Sequence, residues 1–309
     1  MNSIHIEDLR KSYGAQKVLD GLNLAVDEGE FYALMGPNGS GKSTLSAILA
    51  SVTPFDTGRI EIHGKKPAQA RDIIAYIPQD NFSVPQLSGR ENLLYFARLL
   101  GIGGGEAREL INGVLEKVGL TGDADKRFSQ YSGGMKKRLE LATALFPGVR
   151  VLILDEPTTG LDPAARRDFF SLVKSVKKDQ SVFLITHLGT DAEAASRVGL
   201  IHKGKIVAEG TPTELRARHT AEEAITIETA VQSPDCEAVL KKFSNGQKVA
   251  LTQNGYRLYA HDGGQALPEI VKALNQAGVE VQRTEVAKPT LEDVFFALTE
   301  HPMQEVGLR

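Results

Sequence analysis

Apolar and polar positions alternate over the first part of the chain. Residues 4–6, 18–26, 31–35 and 59–63 read as strands divided by turns, with a helix starting at Thr44 between the last two. The spacing changes over residues 86–148. Residues 91–100 and 106–118 repeat their apolar positions at helical intervals, and the glycine-rich stretch 101–105 separates them. This pattern predicts a helical insertion into an α/β core. Strand-like runs return over residues 149–210, at Val151-Leu-Ile-Leu154, at 182–185 and in a hairpin across Lys203-Gly204. Near-continuous apolar runs separated by helical segments predict a buried parallel sheet.

A further helix should start at Thr211-Pro-Thr-Glu214, where Thr211 can cap, Pro212 suits the first turn and Glu214 completes a capping box. Residues 219–223 read as a linker. Beyond it the order is strand (224–230), helix (235–243), strand (248–252), strand (257–260), helix (267–277) and strand (279–284). That β-α-β-β-α-β order is the ferredoxin-like pattern. A last helix, 291–299, follows Pro289. The expected division is therefore 1–218 and 219–309.

Composition narrows the class. The chain has 309 residues, 41% hydrophobic and 24% charged, which is ordinary for a globular protein. A net charge of −3 provides no general basic field, so nucleic acid is not an expected partner. The short basic run Met135-Lys-Lys-Arg138 reads as a solvated helix face. The single cysteine, Cys236, can form no internal disulfide, which fits a reducing compartment. The N-terminus lacks the basic and apolar regions of a signal peptide, and no apolar stretch approaches a membrane span. A soluble or membrane-peripheral chain is expected.

Three motifs carry chemistry. The first is Gly36-Pro37-Asn38-Gly39-Ser40-Gly41-Lys42-Ser43-Thr44, which fits G-x-x-x-x-G-K-S/T between a strand and a helix. Glycines let such a loop turn successive N–H groups inward, and the helix N-terminus adds partial positive charge. Lys42 can reach β- and γ-phosphates, and the Ser43 hydroxyl can ligate Mg²⁺. The second motif is an apolar strand ending in Asp155-Glu156. Carboxylates at a strand's C-terminal end lie on the ligand side of an α/β sheet. Asp155 suits a Mg²⁺-holding role, and Glu156 is placed to polarise a water for attack on a γ-phosphate. The third is Tyr131-Ser132-Gly133-Gly134-Met135 at the start of a helix, a second anion site. One nucleotide needs one such site per chain, so a second suggests that two chains share the nucleotide.

With these residues in place, residues 1–215 resemble the ATP-binding subunits of ABC transporters, whose motifs occur in this order. The resemblance implies a P-loop NTPase cassette with a parallel core sheet, an antiparallel β subdomain and a helical subdomain at about 86–148, followed here by a small α+β ferredoxin-like domain. It implies ATP and Mg²⁺ as ligands, with Ser43, Gln79 and Asp155 around the metal. Tyr13 resembles the aromatic that stacks on adenine. Gln79 resembles the glutamine joining metal and attacking water, and His187 the switch histidine at the γ-phosphate. Ser132, Gly133 and Gly134 match the signature that acts in trans, and Asp162 the loop that crosses to the partner cassette. Tyr131 and Met135 depart from the common Leu and Gln of that signature, though neither supplies its donors. The implied partners are a second cassette and a transmembrane permease, at the cytoplasmic side of the cell membrane.

The segment Pro289-Thr-Leu-Glu-Asp-Val-Phe-Phe-Ala-Leu-Thr299 resembles the terminal motif of prokaryotic exporter ATPases for drugs, lipids, polysaccharides and sodium. It favours export over import, and the permease rather than this chain would read the cargo. A non-transport ABC protein of DNA repair or the ribosome would carry two cassettes or a sustained coiled coil, and neither is present. A P-loop GTPase would carry Asn-Lys-x-Asp, which is absent. After Gln79, the apolar Phe82, Val84 and Pro85 are expected to form a groove for a short permease helix.

Overall fold

The computed structural model describes residues 1–177, 179–244, 249–252 and 254–299. Its centre is a six-stranded sheet. The strands are β3 (Phe31–Met35), β5 (Ile74–Ile77), β6 (Val151–Asp155), β7 (Ser181–Thr186), β8 (Arg197–His202) and β9 (Lys205–Gly210), in the order β5-β6-β7-β3-β8-β9. All pairs are parallel except the β8–β9 hairpin. Every residue of β3, β6 and β7 is buried, as a sheet covered on both faces requires. Alternation sorts them. Tyr32, Leu34, Val151, Ile153, Phe183 and Ile185 face one cluster, whereas Phe31, Ala33, Leu152, Leu154, Val182 and Leu184 face the other. The first cluster also takes in the helix α1 (Lys42–Leu49) and a three-stranded antiparallel sheet.

That sheet has the order β2-β1-β4, from β1 (Asn2–Tyr13), β2 (Gln16–Asp27) and β4 (Thr57–Ile62). β1 extends well beyond the expected residues 4–6. Its alternation breaks at an irregularity between Ile6 and Leu9, where Asp8 adopts a φ of 44°. The extra residue keeps Leu9 on the buried face with Ile4 and Ile6.

Residues 78–150 connect the adjacent strands β5 and β6. They contain α2 (Gly89–Leu99), α3 (Gly104–Lys117) and α4 (Gly133–Thr143), which enclose their own cluster around Leu93, Ile111, Val114, Leu115, Phe128 and Leu139. Ser88 and Glu91 form a capping box at the start of α2. Tyr131 is buried in this cluster and donates its hydroxyl to Asp123 O at 2.8 Å. A Cβ at Gly89 would fall on that hydroxyl, so the glycine and the tyrosine are matched. Met135 packs against the same cluster. Both departures from the usual signature are thus packing residues.

After α5 (Pro163–Val176), α6 (Gly189–Ala192) and α7 (Pro212–His219), residues 220–222 lead to a four-stranded antiparallel sheet. Its order is β11-β12-β10-β13, from β10 (Glu223–Thr229), β11 (Ala250–Thr252), β12 (Gly255–Ala260) and β13 (Val281–Ala287). The helices α8 (Pro234–Lys241) and α9 (Gly263–Gln276) cover it, which gives the expected ferredoxin-like arrangement. Lys248, expected to open β11, lies outside the described residues. α9 starts before the expected Leu267 because the Asp262 side chain accepts from Gln265 N and caps an earlier turn, leaving Pro268 inside the helix. The last helix, α10 (Leu291–Thr299), turns back. Its Leu291, Val294 and Phe295 join the central-sheet cluster beside Ala192, Leu200 and Leu215.

Candidate nucleotide site

Because β3, β6 and β7 are parallel and in register, their C-terminal ends meet at one edge. Met35 pairs with Thr186, and Asp155 with Ile185. The phosphate loop, Asp155-Glu156 and His187 therefore emerge side by side. The loop needs its glycines. A Cβ at Gly36 would collide with Ile201 O, and Gly41 has a φ of 104° with Val18 O beneath it. Lys42 is almost fully buried and donates from Nζ to Gly36 O at 2.8 Å and Pro37 O at 2.9 Å. Burial pulls its ammonium below the ordinary value, against the attraction of Glu156 and Asp155.

Asp155 accepts hydrogen bonds from Ser46 Oγ at 2.6 Å and from Ser43 Oγ and Tyr76 OH at 3.4 Å. Burial pushes its carboxyl above the usual range; the Ser46 hydroxyl opposes the shift and the neighbouring Glu156 adds to it. Glu156 follows with a φ of 46°, a left-handed conformation unusual for a non-glycine residue. Its Oε1 lies 3.1 Å from His187 Nδ1, a close approach that makes no hydrogen bond at that nitrogen.

Lys42, Ser43 and Glu156 border a cavity of about 450 Å³, also lined by Tyr13, Thr44 and Gln79, whereas Asp155 and His187 stand behind its wall. Asn38, Gly39 and Gly41 complete its phosphate side. Tyr13 is 52% exposed, with Lys11 Nζ 5.1 Å from its ring centroid. A larger cavity, about 980 Å³, lies at the opposite ends of the strands around Glu28, Arg150 and Gln180 and has no phosphate loop. Ser132, Gly133 and Gly134 do not line this cavity. Ser132 caps α4 by accepting from Met135 N at 3.3 Å, and it and Gly133 are exposed. Asp162 likewise stands apart, capping α5 through Ala164 N and Ala165 N.

Two sequence expectations are corrected around the site. The basic run 136–138 is not a solvated face. Lys137 is buried and donates to Gln79 O at 2.9 Å, to Pro78 O at 3.3 Å and to Glu140 at 3.3 Å, while Glu140 accepts from Phe82 N at 2.9 Å. Lys136 lies 5.5 Å from the Phe128 ring centroid. The helix bearing the signature thus grips the loop bearing Gln79, a link that a run of like charges conceals. Phe82 also differs from expectation. It packs against the core and meets Phe96 edge-on at 5.2 Å, so only Val84 and Pro85 of the expected groove are exposed. Another buried centre passed unnoticed in the sequence: Asp191 accepts from Thr158 and Thr186 and pairs with Arg166 at 3.4 Å.

Comparison with known proteins identifies the family. The ABC transporter family model matches residues 19–159, and the model of the DrrA1-3-like C-terminal domain of ATP-binding proteins matches 210–299. The daunorubicin resistance ATP-binding protein DrrA3 of Streptomyces coeruleorubidus is 35% identical over 96% of both chains. The Nod factor export ATP-binding protein I of Rhizobium etli is 32% identical over 99% of this chain and 96% of the relative. Among solved structures, CbiO1 of Clostridium perfringens, part of an ABC transporter complex, superposes with a TM-score of 0.65 at 28% identity, covering 70% of this chain and 91% of its own. A dimeric ATP-binding cassette in a post-hydrolysis state with ADP and Pi matches with a TM-score of 0.61 at 25% identity, covering 67% and 98%. The chain therefore belongs to the ABC transporter family, as an ATP-binding, ATP-hydrolysing subunit of the exporter type with a DrrA-like C-terminal domain.

Proposed function

We propose that two such cassettes close around two ATP molecules and drive export through a separate membrane permease, with the cassette ending near residue 218 and an accessory domain filling 219–309. The observation that carries this is the convergence of Lys42, Ser43, Glu156 and Gln79 on one cavity at the strand ends, with Asp155 buried behind Ser43. Tyr13 stacks on adenine; the loop 36–44 and Lys42 hold the phosphates. Glu156 orients the attacking water and accepts its proton, and His187 beside it contacts the γ-phosphate. Ser132, Gly133 and Gly134 complete the site of the opposite cassette, and Asp162 lies at the same interface. This division is supported by the absence of those residues from their own chain's cavity and by the dimeric relative.

The donor set fits a magnesium ion. Asp155, desolvated and held by hydroxyls beside Ser43, gives oxygen ligands of the kind a hard cation takes together with phosphate oxygens and Gln79. Such an ion neutralises charge on the phosphates when bound.

Among the described residues no helix is long and apolar enough to cross a membrane. The family supports a peripheral position on a permease, at the cytoplasmic side of the membrane, with Val84 and Pro85 beside the helical insertion as the proposed contact. The named relatives are a daunorubicin resistance and a Nod factor export ATP-binding protein, which supports export as the direction here, with the cargo read by the permease.

Turnover and affinity test the assignment together. Glu156→Gln should retain ATP affinity and lose roughly 100-fold or more in turnover. Lys42→Ala should instead weaken binding itself. Near-parental turnover in the glutamine variant contradicts the role of Glu156.

A further inference from the structure

The turn after β7 is held from outside the cassette. Glu292, on α10, accepts a hydrogen bond from Gly189 N at 2.6 Å. The two are closely matched, because a Cβ at Gly189 would fall within the Glu292 carboxylate. Gly189 stands two residues after His187, whose ring lies against Glu156. The turn between them is hydrogen-bonded at several points. Leu188 N donates to Thr186 Oγ1 at 3.0 Å, Asp191 N to Leu188 O at 3.1 Å, and buried Asp191 also accepts from Thr158, close to Glu156 in sequence. These bonds tie Gly189 to the turn that carries His187.

Glu292 is itself anchored from both sides. Leu291, Val294 and Phe295 bury one face of α10 in the central cluster. Its neighbour Asp293, 5% exposed, binds the accessory sheet. It accepts from Arg257 at 2.7 and 2.8 Å through both oxygens, from Tyr259 OH at 2.9 Å and from Thr290 N at 2.7 Å. Such a bidentate pair fixes orientation as well as distance. A continuous path of contacts thus runs from β12 through Asp293 and Glu292 to Gly189 and His187.

We propose that Glu292 is a positioning residue for ATP hydrolysis: it holds Gly189 N, fixes the turn 187–191 and sets His187 against Glu156, so that the grip of the accessory domain on α10 governs turnover. This rests on the assignment of His187 to the reacting phosphate. Small displacements of a reacting group cost rate steeply. Nucleotide binding, carried by the loop 36–44, does not depend on the contact.

The test uses the full-length chain. Glu292→Ala should lower kcat roughly 10-fold or more with ATP affinity unchanged. Glu292→Asp, whose acceptor is drawn back by one methylene, should behave like the alanine variant, whereas Glu292→Gln keeps an acceptor oxygen in place and should retain most of the rate. The His187 ring resonance, assigned by its loss in His187→Gln, should shift in the alanine variant and stay in the glutamine variant. Parental kcat in both Glu292→Ala and Glu292→Asp overturns the proposal. So does a fall in kcat that is equal in all three variants and accompanied by lost affinity, the mark of a merely structural role. Parental turnover in His187→Ala would instead remove the assignment of His187 on which the proposal stands.

Discussion

Glu156 holds its left-handed backbone at a cost of about 1–3 kcal/mol. Its N–H donates to Ile185 O at 2.9 Å and its carbonyl accepts from Thr159 N at 3.2 Å, so the turn is fixed on both sides. The conformation swings the carboxylate off the line of β6 and towards the nucleotide cavity. Strain kept for function predicts an opposition between stability and activity. Glu156→Gly removes both the strain and a carboxylate beside Asp155. It should raise the melting temperature in thermal unfolding while abolishing turnover; a lowered melting temperature contradicts the view that this residue is strained. Candidates of this kind could be picked out in the sequence because they are contiguous: the loop 36–44 and the pair 155–156 each lie in one short run next to a strand. Lys137 and Asp191 were not, because their partners at 78–79 and 158 come to them only through the fold.

At the scale of elements, α4 joins the signature turn to the Gln79 loop through one buried ion pair. Burial pushes the Glu140 carboxyl above its usual range even though Lys137 pulls it down. Removing one partner leaves the other charge buried. Lys137→Met should therefore destabilise the chain by about 3–5 kcal/mol, and adding Glu140→Leu should recover much of that in chemical denaturation. Equal instability of single and double variants would mean that the pair is not the link. The helix caps respond to acid. Glu91 and Glu214, accepting first from the backbone N–H groups of Ser88 and Thr211, are held below the usual carboxylate range. Their contribution is present above the unfolded value of about 4 and is lost as pH falls through the lower folded value. Glu91→Gln with Glu214→Gln should therefore reduce the drop in melting temperature on acidification to that region; an undiminished drop contradicts it. Most element types could be read from periodicity. The bulge at Asp8, which hid most of β1, and the cap at Asp262, which moved the start of α9, could not, since each depends on a backbone turn that breaks the period.

For the whole molecule, α10 makes the C-terminal segment part of the cassette's packing. Removing residues 224–309 takes Leu291, Val294 and Phe295 from the central cluster and uncovers apolar surface around Leu215 and Ala192. The truncated chain should retain ATP affinity, because no cavity residue is lost, but should be less soluble. Lost affinity in a soluble, folded truncation would contradict the separation of roles. The C-terminal β-α-β-β-α-β order was legible from the sequence, whereas the return of α10 to the cassette depends on long-range contacts that periodicity does not encode. The central claim is that two chains share each nucleotide. The γ-phosphate then adds contacts that exist only in the closed pair, and hydrolysis removes them. The most direct measurement is the molar mass in solution of Glu156→Gln, without permease, in ATP and in ADP. The account predicts a dimer in ATP and mostly monomer in ADP, with Ser132→Ala or Gly134→Asp abolishing the ATP dimer; a monomer in both nucleotides, or an ATP dimer indifferent to those changes, would contradict it.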